Sequence, residues 1–417
     1  MIEKVRTYID REIGLDSNAL ILIALSGGAD STALLLVMKE LGYTLQALHC
    51  NFHLRGDESD RDQHFVEELC KEQNVPLSVR HFQTEEVAKE RGISIEMAAR
   101  DLRYDWFREE MKARKAFCIA VAHHRDDQAE TMLLNLLRGT GLRGLAGMQA
   151  KHEGIIRPLL CLSRAEILQY LESRGQSFVT DSTNSERTYL RNHLRLDVIP
   201  LLQSINPAAI EHLCLASDNV RESIPYYIKG IEATFKEQGI TTNTFPFKAL
   251  ESRTLLHEWL SDKGFNRAQE EEMMSASNSQ VGKVWLSNSH SVLRDRDALI
   301  VSSLSKQTEK PQIRQEIVSQ IEETGPNVAY FDADLLTNPI EVRLVREGDS
   351  FVPFGMKGRK LVSDYLTDRK LNRFEKAEQF VAVCGDEIIW LIGHRSDNRY
   401  KVTDATKRIL KLSVVKS

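Results

Sequence analysis

A run of six apolar residues, LILIAL at 20–25, stops abruptly at Ser26-Gly27-Gly28. A short unbroken apolar run bounded by a turn signal is expected for a parallel strand covered on both faces. A helix pattern follows at 31–41, and then the alternation repeats. Strands are expected at 44–49 (TLQALH), 77–82 and 117–122 (FCIAVA), with amphipathic helices at 60–73 and 94–114. Strands alternating with helices predict an α/β fold, a parallel sheet flanked by helices. In such sheets ligands gather beyond the carboxyl ends of the strands. Every polar cluster considered below follows such an end.

From Ser163 the pattern turns helical. Ser163 and Glu166 have capping-box spacing, and that helix should end at Gly175. A further helical stretch at 190–203 stops before Pro207. Residues 208–302 read as a helix-rich middle domain with strand signals late, at 284–286 and 298–301. The polar, aperiodic stretch 303–312 reads as a linker. Beyond it, strand signals at 342–345 and 388–392 indicate a small α+β C-terminal domain. The expected domains are therefore 1–207, 208–302 and 313–417.

Composition, 42% hydrophobic and 28% charged, excludes fibrous and disordered classes. The amino terminus has no apolar signal core, and no apolar run approaches the ~20 residues of a membrane span. A cytoplasmic protein without a membrane partner is expected. Six scattered cysteines without a C-x-x-C pair argue for reduced thiols and against zinc or iron–sulfur. A net charge of −5 means that any nucleic-acid binding must rest on local basic surface.

Ser26, Gly27, Gly28, Ala29, Asp30 and Ser31 join the first strand to its helix. Paired glycines allow a sharp turn that gathers main-chain N–H groups, and the helix N-terminus beyond attracts phosphate. There is no Walker-type G-x-x-x-x-G-K-[ST] pattern. The loop instead carries Asp30, which would repel phosphate unless a divalent cation lay between, so a magnesium-bridged pyrophosphate is expected. A plain strand–turn–helix junction with Asp30 or Ser31 as a cap has the same local pattern.

Three further clusters stand out. His49-Cys50-Asn51-Phe52-His53-Leu54-Arg55 follows the second strand and suits adenine and ribose contacts, or a polar loop. Glu96, Arg100 and Arg103 share one helix face, so they can pair. His123-His124-Arg125-Asp126-Asp127-Gln128-Ala129-Glu130 follows the fourth strand. There Asp127 and Glu130 project from one face of a first helical turn, where the helix dipole favours carboxylates. The pair could hold a metal or a substrate ammonium. The spacing is not H-E-x-x-H, and no third zinc ligand is evident.

S-G-G-x-D-S after an apolar strand resembles the pyrophosphate loop of the Rossmann-like N-type ATP pyrophosphatases, which cleave ATP between the α and β phosphates and adenylate a substrate oxygen. With the later blocks, the chain closely resembles the tRNA(Ile)-lysidine synthetase family. Those blocks include Arg138-Gly139-x-Gly141, Gly144-Leu145-x-Gly147-Met148, Arg157-Pro158-Leu159-Leu160, Asp181-Ser182-x-Asn184 and Tyr189-x-Arg191-Asn192 with Arg195. Near the C-terminus, Gly348-Asp349, Pro353-x-Gly355-Met356-x-Gly358-x-Lys360, Asp364 and Gly393 match as well. One departure is Phe52, which stands where the family commonly has a second histidine, with His53 following.

The resemblance implies a ligase that adenylates the wobble cytidine of an isoleucine tRNA with a CAU anticodon and lets free L-lysine displace AMP. The lysidine product switches codon reading from AUG to AUA. ATP and Mg2+ are the implied cofactors. Main-chain amides of 26–31 would hold pyrophosphate, with Asp30 placing the magnesium. His49, Asn51 and Arg100 would line the nucleotide site. Asp127 and Glu130 would bind the incoming ammonium and take its proton. Arg191 would stabilise the adenylate, and Arg195 either the adenylate or tRNA phosphate; ordinary helix-surface arginines would show the same spacing. For tRNA, residues 353–376 hold seven cations, including Lys357, Arg359, Lys360, Arg369 and Lys370, against three carboxylates. Phe354, Tyr365 and Phe374 are interleaved among them, an RNA-binding mixture. A thiolase would call for cysteine pairs and an amidotransferase for a glutaminase block; neither pattern occurs. A non-catalytic nucleotide sensor would have lost the acidic pair. Oligomeric state is left open, a homodimer included.

Overall fold

The computed structural model describes residues 1–16, 18–180, 190–305 and 309–415. The motif residues 181–189 and part of the expected linker, 306–308, lie outside the described residues. The chain divides into two compact units, Met1–Tyr227 and Ile228–Ser417.

In the first unit, α1 (Ile2–Tyr8) precedes β1 (Leu20–Ala24), α2 (Ala29–Glu40), β2 (Thr44–Asn51), α3 (Asp57–Glu72) and β3 (Leu77–His81). Next come α4 (Thr84–Arg91), α5 (Ile95–Arg114), β4 (Cys118–Ala120), α6 (Arg125–Leu137) and α7 (Leu142–Leu145). A short hairpin, β5 (Lys151–His152) and β6 (Ile155–Ile156), leads to α8 (Arg164–Ser173), α9 (Leu190–His193), α10 (Ile199–Ile205) and α11 (Ala209–Gln238), of which only the part up to Tyr227 belongs to this unit. The sheet order is β3-β2-β1-β4-β6-β5, parallel except at β5. The hairpin is too short and too polar at Lys151–His152 to carry a strand signal, which is why periodicity does not reveal it.

The apolar run at β1 is explained by double-sided cover. Ile21 and Ile23 pack with Leu34, Leu35 and Ile167 on one face. Leu22 joins Leu48, Trp106, Phe107 and Ile119 on the other. Each fully buried side chain of this kind stabilises the fold by roughly 1.5–3 kcal/mol. Because β2 and β4 flank β1, the crossover direction reverses between β1 and β4. Their carboxyl ends therefore open a crevice, the place where ligands bind in open α/β sheets.

The capping box forms as its spacing predicts: Glu166 N–H donates to Ser163 Oγ (3.2 Å) and Ser163 N–H to Glu166 Oε2 (2.7 Å). The helix ends with Gly175 in the left-handed region. The helical stretch from Leu190 continues to Ile205 through a π-helical turn at Leu194–Val198.

The second unit contains a four-stranded antiparallel sheet, β7 (Thr244–Pro246), β8 (Val284–Leu286), β9 (His290–Arg294) and β10 (Ala298–Ser303), in the order β7-β10-β9-β8. Helices Arg253–Leu260 and Arg267–Met274 cover it, burying Trp259, Phe245 and Met273. The C-terminal stretch forms small antiparallel sheets, among them Ile340–Leu344, Phe380–Cys384 and Glu387–Leu391, with helices Val362–Asp368 and Arg373–Ala377. No helix among the described residues is long and apolar enough to cross a membrane.

Candidate active site

The turn after β1 is built by its own side chains. Gly27 sits at φ +89, a conformation costly for any residue with a Cβ. A Cβ there would also lie 3.0 Å from Val179 and 3.2 Å from Val66. Ser31 Oγ accepts from the N–H groups of Ser26 and Gly27, both at 3.2 Å, and donates to Gly28 O at 3.1 Å. Gly28 N–H donates to Ser26 Oγ at 3.4 Å, so three of the amides expected to face an anion are used inside the turn. The N–H groups of Ala29, Asp30 and Ser31, in the first turn of α2, remain as the helix-end set that favours phosphate.

Asp30 lies at that helix start. Its Oδ1 is buried and receives no hydrogen bond, but is met by the guanidinium of Arg164, from α8. His124 Nε2 approaches the same oxygen at 3.7 Å. A carboxylate at a phosphate-favouring helix end suits one ligand of a hard divalent cation, which would take the place of the Arg164 guanidinium on this oxygen.

The second cluster grows from β4. His124 N–H donates to Asp127 Oδ2 at 2.9 Å, so Asp127 closes the N-terminus of α6. His124 Nε2 lies 3.4 Å from the same Asp127 oxygen. One buried imidazole therefore stands between Asp30 at the tip of β1 and Asp127 at the tip of β4. The glycine turn and the acidic pair face one crevice.

That pair is already engaged. Arg191 donates to Glu130 Oε2 at 2.6 Å and Asp127 Oδ1 at 3.0 Å. Arg195 donates to Glu130 Oε1 at 2.5 Å and Asp127 Oδ1 at 3.2 Å. Glu130 is only 1% exposed. Arg191 and Arg195, one helical turn apart, form a double guanidinium clamp on two carboxylates.

The electrostatics separate the two adjacent histidines. Burial and the neighbouring Arg157 and Arg191 charges push His123 down to about 4, against the opposite pull of Asp127, so it is neutral at pH 7. Burial also disfavours charge on His124, but contact with Asp126 and the charges of Asp127 and Asp30 outweigh it, raising its pKa. For Asp127, burial is outweighed by the His124 and Arg191 charges, and its pKa lies below the ordinary carboxylate value.

The remaining site candidates are placed as follows. His49 is buried, its Nδ1 2.9 Å from Leu25 O at the base of the glycine turn, and burial lowers its pKa. Asn51 is turned inward: it donates to Gln63 Oε1 at 2.9 Å and accepts from His53 N–H at 3.0 Å, bracing the loop after β2. His53 instead stacks on His81 at the sheet edge. The expected pairing along α5 does not form. Arg100 lies over the Tyr104 ring (4.9 Å) and Arg103 over Phe52 (5.2 Å), while among the described residues Glu96 pairs with neither. The guanidiniums lie over these rings instead, and Glu96 is exposed. In the C-terminal unit, Arg359 pairs with Glu387 at 2.9 Å and Lys360 with Asp368. Lys357, Arg369 and Lys370 are exposed.

Sequence reasoning did not single out Arg164 or the bridging place of His124. Arg164 lacks any motif signal, because only packing of α8 beside α2 brings it to Asp30.

Residues 1–202 match the PP-loop domain family and residues 236–304 the TilS substrate binding domain. The tRNA(Ile)-lysidine synthase of Bacteroides thetaiotaomicron is 42% identical, covering 99% of both chains. That of Parabacteroides distasonis is 41% identical over 98% of this chain and 99% of its own. That of Porphyromonas gingivalis W83 is 38% identical over 97% and 96%, respectively.

Proposed function

The chain belongs to the tRNA(Ile)-lysidine synthase family, and from that premise we propose that it ligates lysine to the wobble cytidine of a CAU-anticodon isoleucine tRNA. ATP adenylates the cytidine carbonyl oxygen, with pyrophosphate leaving; the lysine side-chain amine then displaces AMP. The observation that carries this reading is His124 standing between Asp30 and Asp127. It makes the phosphate turn and the acidic pair parts of one site.

The first-turn amides of α2 hold the leaving pyrophosphate, and Asp30 is the residue to hold magnesium, which supplies neutralisation of phosphate charge. His124, whose pKa the surrounding carboxylates raise, adds positive charge beside the departing phosphates when protonated. Preorganised charge of this kind is the main source of catalysis in such transfers.

The arginine clamp refines the role of the acidic pair. Two carboxylates and two guanidiniums make a locally neutral buried cluster, so an arriving ammonium enters most cheaply by exchange. Arg191 leaves the pair for the α-phosphate of the adenylate, and the lysine ammonium takes its place on Asp127 and Glu130. Charge at the pair is conserved in the exchange; before attack the ammonium passes one proton to this carboxylate pair, and the neutral amine then displaces AMP.

Purified protein with ATP, labelled lysine and the CAU tRNA tests the proposal. Lysine should enter the tRNA with release of AMP and pyrophosphate, and Asp30→Ala should abolish this. Incorporation of sulfur or ammonia in place of lysine would overturn it.

A further inference from the structure

The second unit holds a cavity of about 630 Å³, within the size range of small-ligand sites. Phe354 and the half-buried Tyr330 give it an aromatic wall, backed by the buried Tyr365 and Trp390, and Arg369, His394 and Arg395 give it a basic one. Phe354 is 48% exposed, an open ring at its edge. The guanidinium of Arg369 lies 5.4 Å from the centre of the Tyr365 ring, and Arg395 donates to Phe354 O at 3.2 Å.

Charge distinguishes these two arginines from the other arginines around the cavity that carry ion pairs. Arg343 is paired with Asp349, Arg359 and Arg399 with Glu387, and Lys360 with Asp368. Among the described residues no carboxylate pairs with Arg369 or Arg395. Two exposed guanidiniums without counter-ions, set on an aromatic cavity, match an anion attached to a flat ring. Burial and the Arg369 charge lower the pKa of His394, so it is neutral and can both donate and accept.

We infer that this cavity receives a single unpaired nucleotide of the RNA substrate, its base against Phe354 and Tyr330 and its phosphate on Arg369 and Arg395. Unpaired bases stack readily on aromatic rings and guanidinium planes, whereas bases inside a duplex cannot enter a pocket. The inference rests on the tRNA reading above and specifies how the second unit grips that tRNA.

The test uses the full chain and two labelled probes, a mixed-sequence single-stranded RNA hexamer and a blunt RNA duplex, followed by fluorescence anisotropy. Phe354→Ala and the double variant Arg369→Ala/Arg395→Ala should each weaken hexamer binding about tenfold or more. Phe354→Tyr should retain it. In steady state, Phe354→Ala should raise KM for tRNA by a similar factor and leave kcat and KM for ATP unchanged. Hexamer binding unaffected by these substitutions overturns the inference, as does a loss confined to the duplex. It also falls if a polyglutamate peptide binds as tightly as the hexamer and loses affinity in the same variants. Wild-type protein that binds the hexamer through this cavity but incorporates no lysine supports the cavity and sinks the lysidine reading, so the two failures are separable.

Discussion

Arg191 Nε donates to Glu130 Oε2 across 2.6 Å, joining residues 61 positions apart in the chain. The contact ties the helical stretch after residue 190 to the acidic pair of α6, and Arg195 doubles it on the other carboxylate oxygen. A carboxylate this buried requires at least one cationic partner.

Arg191→Ala and Arg195→Ala should therefore be strongly non-additive. Either alone leaves Glu130 covered and should cost about 1 kcal/mol, since both arginines are partly exposed. Removing both strands a buried charge and should cost about 3 kcal/mol or more. Thermal melts of the two single variants and the double variant measure this. Simple addition of the two shifts would show that the arginines act separately.

Lysine exchange at the clamp predicts a kinetic split between the two. Arg191→Ala should lower kcat by about a hundredfold, through loss of charge at the adenylate. Arg195→Ala, whose side chain stays on Glu130, should change kcat much less. Equal losses in single-turnover lysine transfer would remove the distinct role of Arg191.

Gly27 and Gly28 should differ in their tolerance of alanine. At Gly27, φ +89 and the approach to Val179 and Val66 should cost about 1–3 kcal/mol and weaken ATP binding. At Gly28, φ is −68 and the nearest atom to a new Cβ is 3.6 Å away, ordinary contact. Gly28→Ala should fold with wild-type stability. Comparing melting temperatures with ATP titrations checks both.

His124 should titrate above the usual histidine value near 6.5, because the surrounding carboxylates outweigh burial. Its stabilising charge is fully present below that pH and is lost as pH rises through the raised folded-state value. Asp126→Asn removes one opposing carboxylate, so burial should gain weight and the midpoint should fall. Proton NMR of the imidazole reads the midpoint directly. A midpoint unchanged by Asp126→Asn would mean that Asp126 does not hold the charge.

The strand–turn–helix units, the glycine turn, the Ser163 cap and the acidic first turn of α6 follow from residues within a few positions of one another. Apolar period, paired glycines and capping spacing act over a single turn or strand, so they are legible without tertiary knowledge. The contacts that make a site of them are not local. Apolar periodicity says that β1 is buried on both faces, but not that β4 is its neighbour, and only that adjacency puts His124 between Asp30 and Asp127. Charge pairing is likewise settled by packing between distant segments. It brought Arg164 to Asp30, closed two arginines over the acidic pair, turned Asn51 inward, and, among the described residues, left Arg369 and Arg395 without carboxylate partners while neutralising Arg359 and Lys360.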